Sequence, residues 1–204
     1  MEEDEDLQAI GQIRAGQIQA YGFLVRKYQT RIRGYCRGVC GNATEAEDVA
    51  QEIFIKAYKG LAPRDLFRPA HNKSKLGGLG GFRGTARFST WLYRIAVNHC
   101  RDFLRYAVRN RMESWETLRE REGESAEMRI ADFSDSQLLR EQGQQVREAL
   151  DRLPEQVKTI LILREVQGLS YQELTKVLNC SVDAVKARLR RARQELGSRL
   201  KEKV

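Results

Sequence analysis

The stretch Leu169 to Arg193, LSYQELTKVLNCSVDAVKARLRRAR, constrains this chain more than any other. Ser170 and Glu173 have the spacing of a capping box, which opens a short helix through Leu174, Val177 and Leu178. Asn179-Cys180-Ser181 then breaks it. Ser181 can cap the following helix by accepting a bond from a free backbone N–H, and Asp183 in the first turn suits the positive end of the helix dipole. Along that second helix Val182, Val185, Leu189, Ala192 and Leu196 share one face at three- and four-residue steps. Asp183, Ala187, Arg190, Arg191 and Gln194 then point outward, flanked by Lys186 and Arg188. A basic helix behind a capped helix and a tight turn fits the major groove, where arginine pairs with guanine edges and its neighbours hold phosphates. Solvated basic faces also occur on ordinary helices, but the specified turn favours DNA.

Composition bounds the rest. A chain of 204 residues with 41% hydrophobic content can bury one core of moderate size or two small ones. Its net charge of +8 points to a polyanionic partner. No apolar run approaches a membrane span, and the acidic start MEEDEDLQAI is unlike a secretory signal, so a cytoplasmic protein is expected. Four cysteines without a regular framework fit a reducing compartment.

The chain divides in the middle. Between Arg109 and about Ser136 charged and small residues dominate without an apolar period, as in a linker. Nothing reads as a sheet. The expected fold is all-α: two small helical domains joined by a flexible linker, with an N-terminal domain over 1–112, the linker over 113–135 and a C-terminal domain over 136–204. The last of these should hold four helices, with Gln137–Arg152 and Glu155–Gln167 around a Leu153-Pro154 break, followed by the helix-turn-helix. N-terminal helices are expected near Asp4–Thr30, Arg31–Cys40, Thr44–Lys59 and Ser89–Asn110. Leu61 to Gly81, with two prolines and several glycines, reads as a long mobile loop.

Two N-terminal helices carry chemistry. Thr44 and Glu47 have capping-box spacing, and the helix after them buries Ala46, Val49, Ala50, Ile53 and Ala57 while projecting Asp48, Gln51, Glu52, Ile55 and Lys59. An isoleucine among acids on the outer face of a basic protein suggests a protein-docking surface, although a solvated polar face is the plainer alternative. In FSTWLYRIAVNHCRDFLRYAVRNR, Leu92, Ile95, Ala96, His99, Phe103 and Tyr106 form the inner face, and Arg94, Asn98, Arg101 and Arg105 form a strip opposite, with Trp91 at its margin. Arginines and a planar amide beside an aromatic ring suit a strand with exposed bases. Trp91 and Tyr93 fit equally well as core or boundary aromatics.

The segments AEDVAQEIFIKAY, FRGTARFSTWLYRIAVNHCRDFLR and ALDRLPEQVKTILILREVQGLSYQELTKVLNCSVDAVKARLRRARQEL, in this order, resemble the bacterial sigma-70 family, in its two-domain extracytoplasmic-function (ECF) group. The resemblance covers most of Ala20 to Leu200. It implies a transcription initiation factor that binds core RNA polymerase, directs it to promoter DNA and assists opening, without being an enzyme. It assigns Asp48, Gln51, Glu52 and Ile55 to the clamp helices of the largest polymerase subunit. Trp91, Arg94, Asn98, Arg101 and Arg105 fall to the minus-ten element, and Lys186, Ala187, Arg188, Arg190, Arg191 and Arg193 to the minus-thirty-five element, with Arg188 and Arg193 on phosphates. Kinship also implies an anti-sigma factor. The insertion before FRG departs from the group's pattern, and Arg64, Arg68, Lys73 and Lys75 within it are candidates for phosphate contacts.

Two other function classes compete. A helix-turn-helix regulator acting without polymerase explains the C-terminal half equally well, but gives no reason for an acidic docking helix beside an arginine strip. A nucleic-acid enzyme lacks support: two histidines, no phosphate-binding glycine loop and no clustered acids. No cofactor, metal or small-molecule substrate is expected, and no membrane insertion. Cys36 and Cys40 would share a helix face, with His99-Cys100 on another helix. Such residues are more commonly buried apolar groups than ligands.

Overall fold

The computed structural model describes residues 2–62, 81–115 and 137–201. Among these residues the chain forms helices only, in the order α1 (Glu2–Arg14), α2 (Tyr21–Cys40), α3 (Ala43–Leu61), α4 (Phe88–Trp115), α5 (Gln137–Asp151), α6 (Glu155–Leu161), α7 (Tyr171–Leu178) and α8 (Val182–Lys201). The single long helix expected over Asp4–Thr30 is instead two. Gly16 takes a positive φ of 91°, and a 3-10 turn over Ile18–Ala20 redirects the chain into α2. Residues 31–40 then continue α2 without a break.

Helix α1 is seated by Ile10 and Ile13, which are buried, and by a buried carboxylate. Asp6 accepts from the Tyr28 hydroxyl at 2.5 Å and from Lys27 Nζ at 2.8 Å, so its charge is taken up on burial. Helices α2, α3 and α4 bury Leu24, Ile32, Ile53, Leu92 and Ala96 completely. Each such leucine or isoleucine removed from water contributes about 1.5–3 kcal/mol. The inner face expected for α3 is the one observed: Ala46, Val49, Ala50, Ile53 and Ala57 are all buried. Its cap differs. Asn42, not Thr44, sits at the N-cap and accepts from the Thr44 and Glu45 N–H groups, because a side chain one position before the first turn reaches those donors. Glu47 instead pairs with Arg33 at 2.6 Å and Arg37 at 3.9 Å.

The segment expected to be a long loop is pinched at its base. Phe82 N donates to Gly60 O at 3.1 Å, Arg14 donates to the Phe82 carbonyl, and a Cβ at Gly81 would lie 3.0 Å from Gly60 O. Arg64, Arg68, Lys73 and Lys75 lie outside the described residues, as does the linker core over 116–136.

In the C-terminal half, Pro154 takes the N-cap position of α6. A π-helical turn over Ile162–Val166 follows, and Gly168 with φ 72° ends it. The reciprocal Ser170–Glu173 cap of α7 is present, Asn179 is left-handed (φ 51°), and Ser181 Oγ accepts from Ala184 N at 3.2 Å. Val185, Leu189 and Ala192 of α8 are buried against α6 and α7, while Val182 is 40% exposed. Leu163, Leu174 and Leu189 form the centre of this half. One apolar cluster runs from the first half into the second, so the two halves pack together.

Candidate polymerase and nucleic-acid surfaces

On α3 the outward residues Asp48, Gln51, Glu52 and Ile55 are all exposed. Ile55 is 52% exposed and borders an apolar groove of about 300 Å3, lined also by Ile18, Tyr21, Phe54 and Tyr58. The sequence reading found Ile55 but missed its neighbours. Ile18 lies in the 3-10 turn, whose position beside α3 no local periodicity announces. The groove is rigid on one side: the Tyr21 hydroxyl donates to Phe54 O at 2.6 Å, the Tyr21 and Tyr58 rings lie 5.0 Å apart, and burial pushes the Tyr21 phenol up. Exposed apolar area ringed by acids and an amide is what a partner helix with an apolar stripe and basic flanks can use.

Helix α4 presents the strip as expected in part. Arg105 is exposed, Arg94 and Asn98 are half-buried, and the Arg101 side chain is 32% exposed. Two residues depart from the expectation. Tyr106, expected on the inner face, is 57% exposed, because the α4 surface near it has left the core. Trp91 is only 8% exposed, packed on Phe82 and Phe88 with ring centroids 5.4 and 5.8 Å away. It is a core aromatic beneath the strip, and offers no open stacking face. Tyr93 is likewise buried.

The docking helix and the strip helix are joined through His99. Its Nε2 lies 2.9 Å from a Glu52 carboxylate oxygen, outside hydrogen-bonding geometry, and Lys56 donates to Nδ1. Burial first, and the Lys56 ammonium second, hold the His99 pKa below its ordinary value. His99 thus spans α3 and α4, between Glu52 and Lys56.

The outer face of α8 is open. Lys186, Arg188, Arg190, Arg191 and Arg193 are exposed and Ala187 is half-buried. Lys186 pairs weakly with Asp183 at 3.8 Å, and Arg188 leans toward Cys180 Sγ at 3.7 Å. Arg193 is engaged: its Nε and Nη2 both donate to Glu165 Oε1, at 3.1 and 2.7 Å. That pair ties Arg193 to Glu165 of the π-turn. The three candidate surfaces therefore remain separate, with the first two on one domain. Cys36, Cys40, Cys100 and Cys180 are free thiols, with Cys100 Sγ 3.9 Å from Cys36 Sγ. Among the described residues no helix is long and apolar enough to cross a membrane.

Comparison with known proteins agrees with this layout. Residues 24–71 match the family described as Sigma-70 region 2, and residues 143–196 match Sigma-70, region 4. The chain is 34% identical over 201 residues to the RNA polymerase sigma-H factor of Pseudomonas aeruginosa, covering 97% of this chain and 95% of that one. It is 30% identical over 201 residues to the ECF RNA polymerase sigma-E factor of Haemophilus influenzae, covering 96% and 95%. In fold it is similar to CnrH, solved in complex with the cytosolic domain of CnrY, with a TM-score of 0.63 at 24% identity over 98% of this chain and 99% of that one. An all-helical chain with both sigma-70 regions, and with relatives of this identity along nearly its whole length, belongs to the ECF group of the sigma-70 family and is a transcription initiation factor, not an enzyme.

Proposed function

We propose that this chain joins core RNA polymerase through the α3 face, grips the opened minus-ten strand with the α4 strip and reads the minus-thirty-five element with α8. The observation that carries the reading is the α3 surface: Ile55, half exposed on the rim of an apolar groove, beside exposed Asp48, Gln51 and Glu52. A regulator that bound duplex DNA alone would have no use for it. On α4 the opposed faces divide the work. Arg94, Arg101 and Arg105 offer cations to the backbone of a separated strand and Asn98 a planar amide to a base, while Trp91 supports them from the core. Unstacking a base costs a few kcal/mol, which such contacts can offset. On α8, Arg190, Arg191 and Lys186 face the base edges across Ala187, and Arg188 and Arg193 the phosphates.

A cytoplasmic location and control by an anti-sigma factor that covers the polymerase-binding surfaces complete the proposal. The latter has support in the family and in solved relatives such as the Bartonella quintana sigma factor RpoE with the anti-sigma factor NepR. Run-off transcription on a genomic library, with core polymerase in the presence and absence of the chain, tests the reading. Protein-dependent start sites are expected with the native chain and their loss with Ile55→Asp. If no start site depends on the chain, the reading is wrong.

A further inference from the structure

The last turns of α4 carry side chains that the strip does not account for. Full burial along this helix ends at Cys100, which is 1% exposed. Beyond it Phe103 and Leu104 are half-buried, and Tyr106 and Val108 are 57% and 61% exposed. By its spacing Tyr106 continues the inner face of Leu92, His99 and Phe103, but the helix has outrun the core where it reaches this residue. Its ring stands in solvent.

Among the described residues Tyr106 is the only aromatic side chain left exposed. All the other rings are buried or half-buried, Trp91 included. A helix that holds a separated strand by its cations is thus left with one ring on which a base can stack, and that ring lies beyond the strip, not beside its start.

Helical geometry gives the ring two companions. Residues three and four apart share a face, so Tyr106 lies in line with Asp102, one turn before it, and Arg109, one turn after it, while Arg105 adjoins it. All three are exposed. Asn98 and Tyr106 are about 12 Å apart along the axis at about 1.5 Å per residue, a span of roughly three to four nucleotides at about 3.4 Å each along one strand. Both residues therefore fall within one gripped segment.

Asp102 decides what the ring can hold. An exposed carboxylate among arginines that grip phosphates weakens the hold on the backbone, because it repels the same phosphates. It accepts hydrogen bonds and donates none, and the DNA groups that can donate to it are on the bases, above all the exocyclic amino groups that lose their partners when the strands separate. Arg105 and Arg109 also disfavour a polymerase segment as the occupant. The α3 docking face is acidic, so a partner matched to it is basic, and these two cations repel such a partner.

We propose that Tyr106 and Asp102 form a second base site on α4, C-terminal to the strip, which takes an unpaired base carrying an exocyclic amino group, cytosine in preference to thymine. The base stacks on the Tyr106 ring, its amino group donates to Asp102, and Arg105 and Arg109 hold the neighbouring phosphates. The site rests on the proposed grip of α4 on the opened strand and adds a position at which that strand is read beyond Asn98.

Fluorescence anisotropy of labelled single-stranded (dC)12 and (dT)12 with the full chain at pH 8 tests it. Tyr106→Ala should weaken both complexes about tenfold, as expected for the loss of one stacked base, whereas Tyr106→Phe should stay within about twofold of the native chain. Asp102→Asn should lower the preference for (dC)12 over (dT)12 several-fold, because an amide donates to thymine as readily as it accepts from cytosine. Affinity for core polymerase should be the same in all these chains. Should the alanine chain lose helical circular dichroism, Tyr106→Gln, which also lacks the ring, decides. Native affinity for both oligonucleotides without the ring would overturn the inference, as would a native (dC)12 to (dT)12 ratio in Asp102→Asn. So would weakened binding of core polymerase by Tyr106→Ala, which would seat the ring against the polymerase instead. A chain that showed the oligonucleotide effects but gave no polymerase-dependent start sites would sink the initiation reading alone, and start sites without those effects would sink the base site alone.

Discussion

Acidification gives a sharp test of the way α3 and α4 are joined. His99 is 10% exposed at its side chain, lies between Glu52 and Lys56 of α3, and has Asp102 near it on its own helix. Its pKa is lowered in the folded chain, first by burial and then by Lys56. In the unfolded chain it titrates at about 6.5. The sign follows from proton counting. As pH falls through about 6.5 the unfolded chain takes up a proton that the folded one still refuses, so the unfolded state gains. The contribution of His99 is therefore fully present above that pH. It is lost on acidification, until the folded-state pKa is passed. One proton difference sets a ceiling of about 1.4 kcal/mol per pH unit on the slope.

The matched variant is His99→Gln, whose amide can donate toward Glu52 and accept from Lys56 but cannot titrate in this range. Urea unfolding of both chains from pH 8 to pH 5 removes the carboxylate titrations they share, leaving the His99 term in the difference. The native chain should lose stability relative to the variant below about pH 6.5, with a slope no steeper than about 1.4 kcal/mol per pH unit. A flat difference, or one that favours the native chain on acidification, would refute the lowered pKa of His99.

Replacing Arg191 by alanine should cost about 1–3 kcal/mol of discrimination at one base pair of the upstream element, read by competition between cognate and scrambled duplexes. Arg193→Ala should instead weaken all sequences alike and reduce the slope of log K against log salt by about 0.9, whereas Glu165→Gln, which frees Arg193 from its partner, should strengthen binding to all sequences alike. Ser170→Ala removes the side-chain half of the α7 cap and should destabilise the chain by about 0.5–2 kcal/mol in urea unfolding, with Glu173 N left unbonded. Deleting Pro63 to Gly80 should leave thermal stability nearly unchanged, since Gly60 and Phe82 are already bonded across the base; if the insertion contacts phosphates, the salt dependence of promoter binding falls.

What the sequence makes legible here is what repeats along one helix. The inner face of α3 follows from a period of 3.6 residues, and the Ser170–Glu173 cap and the Asn179 turn follow from residue types that act within four positions. Where two local signals compete, the reading goes astray. Asn42 and Thr44 are both able caps, and only the actual entry of the chain selects Asn42. Trp91 sits at the margin of an arginine strip by its helical angle, but Phe82, nine positions earlier and beyond the helix, folds over and covers it. Contacts between distant segments leave still less trace. His99 meets Lys56 and Tyr93 meets Gln167 across 43 and 74 positions, distances over which no periodicity speaks.

One signal for the domain contact was nevertheless present. Gly34 and Gly38 stand four apart inside α2, where each costs about 1 kcal/mol against alanine. At Gly38 the cost marks a close approach, since a Cβ there would stand 2.7 Å from Ile162 Cδ1, whereas at Gly34 the nearest atom of Gln167 lies at an ordinary 3.9 Å. A helix that served only the core of its own domain would have no reason to keep that face bare. Gly38 therefore argues, independently of any ion pair, that the approach of Ile162 is built into α2.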